Sequence, residues 1–191
     1  MTEEERKEKL LNQKNEQYLA IGKFAVKFEH LIDAIKLKIK MLCGNREEIA
    51  ILIEPLLAAQ TIEMLNNLVE WKIKDFVNEE EKGLYLKLLQ DLKTLNTKRN
   101  SYIHTMWFIG WVSDKTTDAT EFDGRKFITT KKKTWKKLTA NDINSATQDC
   151  EMFYQIMYTS WSIDIFPIGN VPPFHEFYSR ARNGKWNSLR N

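Results

Sequence analysis

The sequence predicts a mainly α protein: an up-and-down bundle of four to five helices with a small β-hairpin inserted before the last long helix. Three observations predict it. Apolar residues recur at spacings of three and four through most of the chain, the pattern of amphipathic helices. Only 7 Gly and 4 Pro occur in 191 residues, too few for a turn-rich β fold. From about 106 to 135 the pattern changes to aromatic and β-branched residues around Asp123-Gly124, a tight-turn signal.

Each element has its own local reason. Thr2 with Glu5 is a capping box, and Glu3 and Glu4 suit a helix N-terminus, so residues 1–17 read as a charged, helical N-terminal extension that frays from the body. The bundle proper is expected over 18–163. Its first stripe is Tyr18, Ile21, Phe24, Phe28, Leu31, Ile32, Ile35, Ile39 and Leu42, with Gly44 as the stop. A second helix is predicted from Pro55 to Phe76 on Ala58, Ile62, Leu65 and Val69; the segment 47–53 before it reads as a turn or a separate short helix. Asn78 with Glu81 reads as the cap of a third helix, striped by Leu84, Leu88, Leu92 and Leu95 and reaching Arg99 and Tyr102. Short strands fit 106–135. Thr139 with Asp142 then caps a last helix, 141–160, carrying Ile143, Met152, Phe153, Ile156 and Met157. Pro167, Pro172 and Pro173 mark 164–191 as a basic C-terminal tail that wraps or hangs loose.

Composition narrows the function classes. Hydrophobic residues are 42% and charged residues 29%, the balance of a soluble globular protein, and no apolar run approaches a membrane span. Cys43 and Cys150 lack the spacing of a metal site or a disulfide framework, and the charged N-terminus leads into no signal-peptide core, which predicts a reduced, cytoplasmic protein. Residues 121–191 carry 11 Lys+Arg against 7 Asp+Glu. The excess lies in the predicted hairpin, at Arg125, Lys126, Lys131, Lys132, Lys133, Lys136 and Lys137, and in the tail at Arg180, Arg182, Lys185 and Arg190. Charge runs are most often solvated surface, but interleaved with Phe127 and Trp135 this one also fits an anionic partner such as RNA.

The segment from Arg99 to His104 carries the strongest chemical signal. A guanidinium binds phosphate oxygens bidentately, and an imidazole transfers protons near neutrality. Asn100 and His104 are four apart and share a helix face. Arg99 continues the leucine stripe, so it is expected to point inward and to need a carboxylate; Glu29, at the edge of the first stripe, is the candidate. The plainer alternative is a helix end whose arginine and histidine satisfy carbonyls and the dipole. His30 and His175 read as packed or surface residues. The histidines lack metal-ligand spacing, and the residue set calls for no metal and no cofactor.

Arg99-Asn100-x-x-x-His104, at the end of the third helix of a bundle, resembles the R-x4-6-H motif of HEPN domains. Trp107, the basic hairpin and the capped last helix also resemble uncharacterised bacterial members. The resemblance implies a metal-independent endoribonuclease, of the kind found in toxins and antiviral defence systems. In it Arg99, Asn100 and His104 would be catalytic, with Glu29 and Tyr102 in support and the basic hairpin holding RNA. It further implies a homodimer whose two motifs face each other in a composite active site, and an antitoxin or defence-system partner. One toxin subgroup carries a tyrosine two residues after the histidine, where this chain has Met106. The alternative function is a catalytically inactive helical module that binds RNA, a nucleotide or a protein partner.

Overall fold

The computed structural model describes residues 1–75, 79–103, 106–108, 121–126, 134–159, 161, 163, 174–180 and 184–189, with 75, 106–108, 121–126 and 134–136 described by their backbone. The chain is mainly helical, with small antiparallel β elements. It divides into two compact units, unit 1 being 1–27 with 97–148 and unit 2 being 28–96 with 149–191.

Helix α1 runs unbroken from Glu3 to Leu42. Its start is the expected capping box: Thr2 N–H donates to Glu5 Oε2 at 2.7 Å, and Glu5 N–H donates to Thr2 Oγ1 at 3.2 Å. Its end is a Schellman motif. Gly44, at φ 83°, donates to the Met41 carbonyl at 3.1 Å, and Asn45 donates to the Lys40 carbonyl at 2.8 Å. The positive φ is why glycine stands at 44.

Unit 1 holds the first part of α1, the end of helix α4 (Glu79–Ile103), strands β1 (Met106–Phe108), β2 (Glu121–Lys126) and β3 (Thr134–Thr139), and the start of helix α5 (Ala140–Tyr158). Two features correct the sequence reading of α1. Leu10 and Gln17 are buried, so the charged extension carries inward positions of its own. Tyr18, read as the first stripe residue, is 53% exposed, and the buried row runs instead through Gln17, Ala20 and Phe24. The expected hairpin is a three-stranded antiparallel sheet in the order β1-β2-β3. Asp123-Gly124 is not its turn: Gly124 sits mid-strand in β2, paired with Trp107 on one side and Lys136 on the other. The α5 cap is as expected, with Thr139 N–H and Oγ1 both donating to Asp142 Oδ2 at 2.8 Å. From it the buried row passes through Ile143, Ala146 and Thr147, two of which the sequence reading omitted.

Unit 2 packs Phe28, Leu31, Ile35, Ile39 and Leu42 of α1 with the rest of its core. Helix α2 (Glu47–Ile53) is the separate short helix, and α3 is Ala58–Lys72, closed by a 3-10 turn at Ile73–Asp75. Pro55 therefore lies in the turn ahead of α3 rather than at its first position, and Gln60 Oε1 accepts the Leu57 N–H at 3.0 Å instead. Ala58 is only half-buried, and Phe76 and Asn78 lie outside the described residues. In the first turns of α4 Tyr85 is fully buried, whereas Leu84 is half-buried, because the Tyr85 ring packs on Trp161 and Phe174 of the C-terminal segment. On α5, Cys150, Phe153, Ile156 and Met157 are buried and Met152 is half-buried.

That segment wraps rather than hangs loose. Helix α6 (Phe174–Phe177) and the hairpin of β4 (Tyr178–Arg180) with β5 (Trp186–Ser188) place Phe174 at 0% exposure. Its ring stacks on Tyr85 at 4.9 Å between centroids and meets Tyr178 at 5.4 Å and Trp186 at 6.0 Å. Glu81 is a buried acceptor, taking the Phe174 N–H at 2.9 Å. Arg180 grips Asp91 bidentately, Nε to Oδ2 at 2.8 Å and Nη2 to Oδ1 at 3.1 Å, while the Trp186 indole donates to Oδ2 at 2.9 Å. Lys38 is fully buried; its ammonium donates to the Thr159 carbonyl just past α5 at 2.8 Å and lies 4.7 Å from the Trp161 ring centroid. A cation at a helix C-terminus meets both the loose carbonyls and the helix dipole.

Candidate functional site

The buried row of α4 continues from Leu92 and Leu95 at helical spacing to positions 99 and 102. Tyr102 completes it. Its ring is 5% exposed and meets Phe24 edge-to-face, with centroids 5.2 Å apart and planes at 71°. This contact anchors the last turn of α4 within unit 1, so Tyr102 acts as a packing residue that fixes the segment. Ser101 beside it is also buried.

Arg99, on the continuation of the stripe, is half-buried. Its Nη1 donates to Asn100 Oδ1 at 3.3 Å. Asn100 is half-buried as well. The amide oxygen is one acceptor for the guanidinium. Glu29 is exposed and belongs to unit 2.

Helix α4 ends at Ile103, and His104 is the next residue in the chain. His104, Lys131, Lys132 and Lys133 lie outside the described residues, as do the side chains of Arg125, Lys126 and Lys136. Lys137 is exposed. The strand register nonetheless sorts the basic positions. Positions 125 and 135 pair, as do 123 and 137, and alternate residues of a strand fall on opposite faces. Positions 125 and 137 therefore share one face of the sheet. Positions 126 and 136 share the other, with Leu138, which is buried. The basic hairpin of the sequence reading is thus divided between two faces.

In the tail, Arg180 belongs to the structural joint with Asp91, whose hydrogen bonds raise the guanidinium pKa above its ordinary value. Arg182 and Arg190 lie outside the described residues; Lys185 is exposed. Among the described residues no three His, Cys, Asp or Glu side chains gather closely enough to hold a metal ion, and no helix is long and apolar enough to cross a membrane. Sequence reading missed a different surface, the outer face of α3, although its signal was present as a second apolar row at spacings of seven, four and three: Leu57, Met64, Leu68 and Trp71. No family model matches the chain, and no curated protein and no solved structure shows significant similarity to it.

Proposed function

We propose that the segment Arg99–His104 is the active site of an endoribonuclease that cleaves single-stranded RNA without a metal ion. The observation that carries this reading is the Arg99–Asn100 pair. Arg99, half-buried, donates to the amide oxygen of Asn100 on an anchored last helical turn that ends one residue short of a histidine. In the proposed reaction the ribose 2′-OH attacks the adjacent phosphorus, the P–O5′ bond breaks, and the products are a 2′,3′-cyclic phosphate and a 5′-OH. His104 takes the 2′-OH proton or delivers one to the leaving oxygen, as imidazole, the side chain best suited to proton transfer near neutrality, can. Arg99 stabilises the charge that develops on the phosphoryl oxygens, and Asn100 holds Arg99 in line. Basic residues at positions 125 and 137 of the sheet hold the RNA backbone.

The resemblance to HEPN domains supports the same roles, and the cytoplasmic, toxin or defence setting that goes with it is part of this proposal. The test is cleavage of a fluorescent single-stranded RNA in EDTA. Arg99→Ala and His104→Ala should each lower the rate by about 10²- to 10⁴-fold while leaving the melting temperature nearly unchanged. A second reading, an inactive binding module, is favoured by the burial of Ser101 and Tyr102, which suits a structural joint. Wild-type protein that binds RNA but leaves it intact would decide for that reading.

A further inference from the structure

Two tyrosines stand side by side on the outer face of α5, within unit 2. Tyr154 is 38% exposed and Tyr158 56%, and their ring centroids lie 4.8 Å apart with planes at 41°. Four residues apart on a helix, they meet on one face. The hydrogen bond between the two phenols is the main reason that the Tyr158 pKa is raised; slight burial and then the nearby charges of Tyr154 and of Asp33 on α1 add to it. Lys38 holds α1 and α5 together at this level, donating to the carbonyl of Thr159, the residue after Tyr158, at 2.8 Å.

Exposed aromatic faces take flat or cationic partners, and the charges around these two decide between them. On α1, Glu29 and His30 precede Asp33 by a turn, Lys36 and Leu37 follow it by a turn, and Lys40 comes one turn later. Both lysines are engaged elsewhere, Lys36 on the Glu54 carbonyl and Lys40 on the Glu47 carboxylate. Lys38 is buried on the Thr159 carbonyl. Asp33 is exposed and forms no ion pair among the described residues. On α5, Glu151 is exposed one turn before Tyr154, and the last turn of the helix holds no basic residue. The negative end of the helix dipole therefore adds to the two carboxylates. A nucleic acid brings phosphates into this negative field and is repelled, whereas a cation is drawn to the rings and to Asp33 together. Among cations, a guanidinium both stacks flat on an aromatic ring and offers paired N–H groups to a carboxylate; an ammonium is only a point charge. Free arginine carries its own carboxylate towards Asp33 and Glu151, and an arginine within a chain does not. We propose that Tyr154, Tyr158 and Asp33 form a binding site for an arginine side chain of a partner protein.

The site is separate from the proposed ribonuclease segment, and its test reads no cleavage. The isotope-labelled full chain is titrated, by amide NMR, with a blocked peptide carrying one arginine among glycines and serines. Shifts should centre on Asp33, Tyr154 and Tyr158, with a Kd of about 1 mM, the scale of a single exposed cation–aromatic contact joined to an ion pair. The same peptide with lysine should bind at least about 3-fold more weakly, and with citrulline, which keeps the shape and loses the charge, at least about 5-fold more weakly. Free arginine should also bind at least about 3-fold more weakly. Asp33→Asn and Tyr158→Ala should each weaken the arginine peptide about 3-fold or more, while Tyr158→Phe, which keeps the ring, should stay within about 2-fold of wild type. Asp33 is exposed, so Asp33→Asn should leave the circular dichroism native. The proposal is overturned if the arginine peptide gives no shifts at about 10 mM, or if citrulline or free arginine binds as tightly. It is equally overturned if Asp33→Asn binds as wild type does, or if a short single-stranded RNA shifts the same amides at lower concentration than the peptide.

Discussion

Asp91 and Arg99 stand about two turns apart on α4, and the arginine sites to which they belong are built differently. At the first, Arg180 places two N–H groups on both oxygens of Asp91, these two side chains being about three-quarters buried, and the indole of the buried Trp186 adds a third bond. At the second, Arg99 donates to the neutral amide of its neighbour Asn100 at 3.3 Å. A carboxylate neutralises a guanidinium and fixes it in place; an amide only steers it. The first arrangement suits architecture. The second sets a guanidinium in the last turn of α4, where the proposed function has it meet a phosphate.

The architectural side of the comparison makes the largest prediction. Phe174 closes the aromatic cluster over Tyr85 and Trp161 with no exposed surface. Phe174→Ala should destabilise the protein by about 3–5 kcal/mol, lowering the melting temperature by roughly 8–15 °C in a thermal scan. An unchanged melting temperature would mean the C-terminal segment is not structural, and the contrast between the two arginines would lose its basis.

Asp91→Ala comes next. It strands the Arg180 guanidinium and the Trp186 N–H together, and with the pair partly open to solvent the loss should be about 2–3 kcal/mol by urea unfolding. Replacing Arg180 as well, by Met, should recover part of it, because the uncompensated charge is then gone. RNA cleavage should follow the folded fraction and nothing else in both variants.

How much of this was legible beforehand depended on distance along the chain. Thr2 with Glu5, Thr139 with Asp142, and Gly44 were read correctly because their partners lie within five residues. Asp123-Gly124 was misread for the complementary reason. Its turn propensity is local, whereas its place in mid-strand is set by pairing with β1 and β3. Tyr85 was passed over for Leu84 because what buries it comes from Trp161 and Phe174, far along the chain. Arg180 looked like part of a basic tail because its carboxylate lies 89 residues away. In the candidate site the residue types and the stripe carried Arg99 to its position, and the one acceptor given for its guanidinium, Asn100, is its neighbour in the chain.

The sharpest test of the comparison converts one arginine site into the other. Asn100→Asp keeps the size and place of the side chain and gives Arg99 a carboxylate in place of an amide. The gain in stability should be small, under about 1 kcal/mol, because the site is half in solvent and the two residues are already neighbours in the chain. The effect on chemistry should be large. The new carboxylate competes with the phosphoryl oxygens for the Arg99 N–H groups, and the added negative charge repels the RNA backbone. Cleavage should therefore fall by at least about 100-fold in a protein that melts no earlier than wild type. If Asn100→Asp cleaves RNA as fast as wild type, the Arg99 charge takes no part in the reaction, and Arg99 belongs with Arg180 as a structural residue.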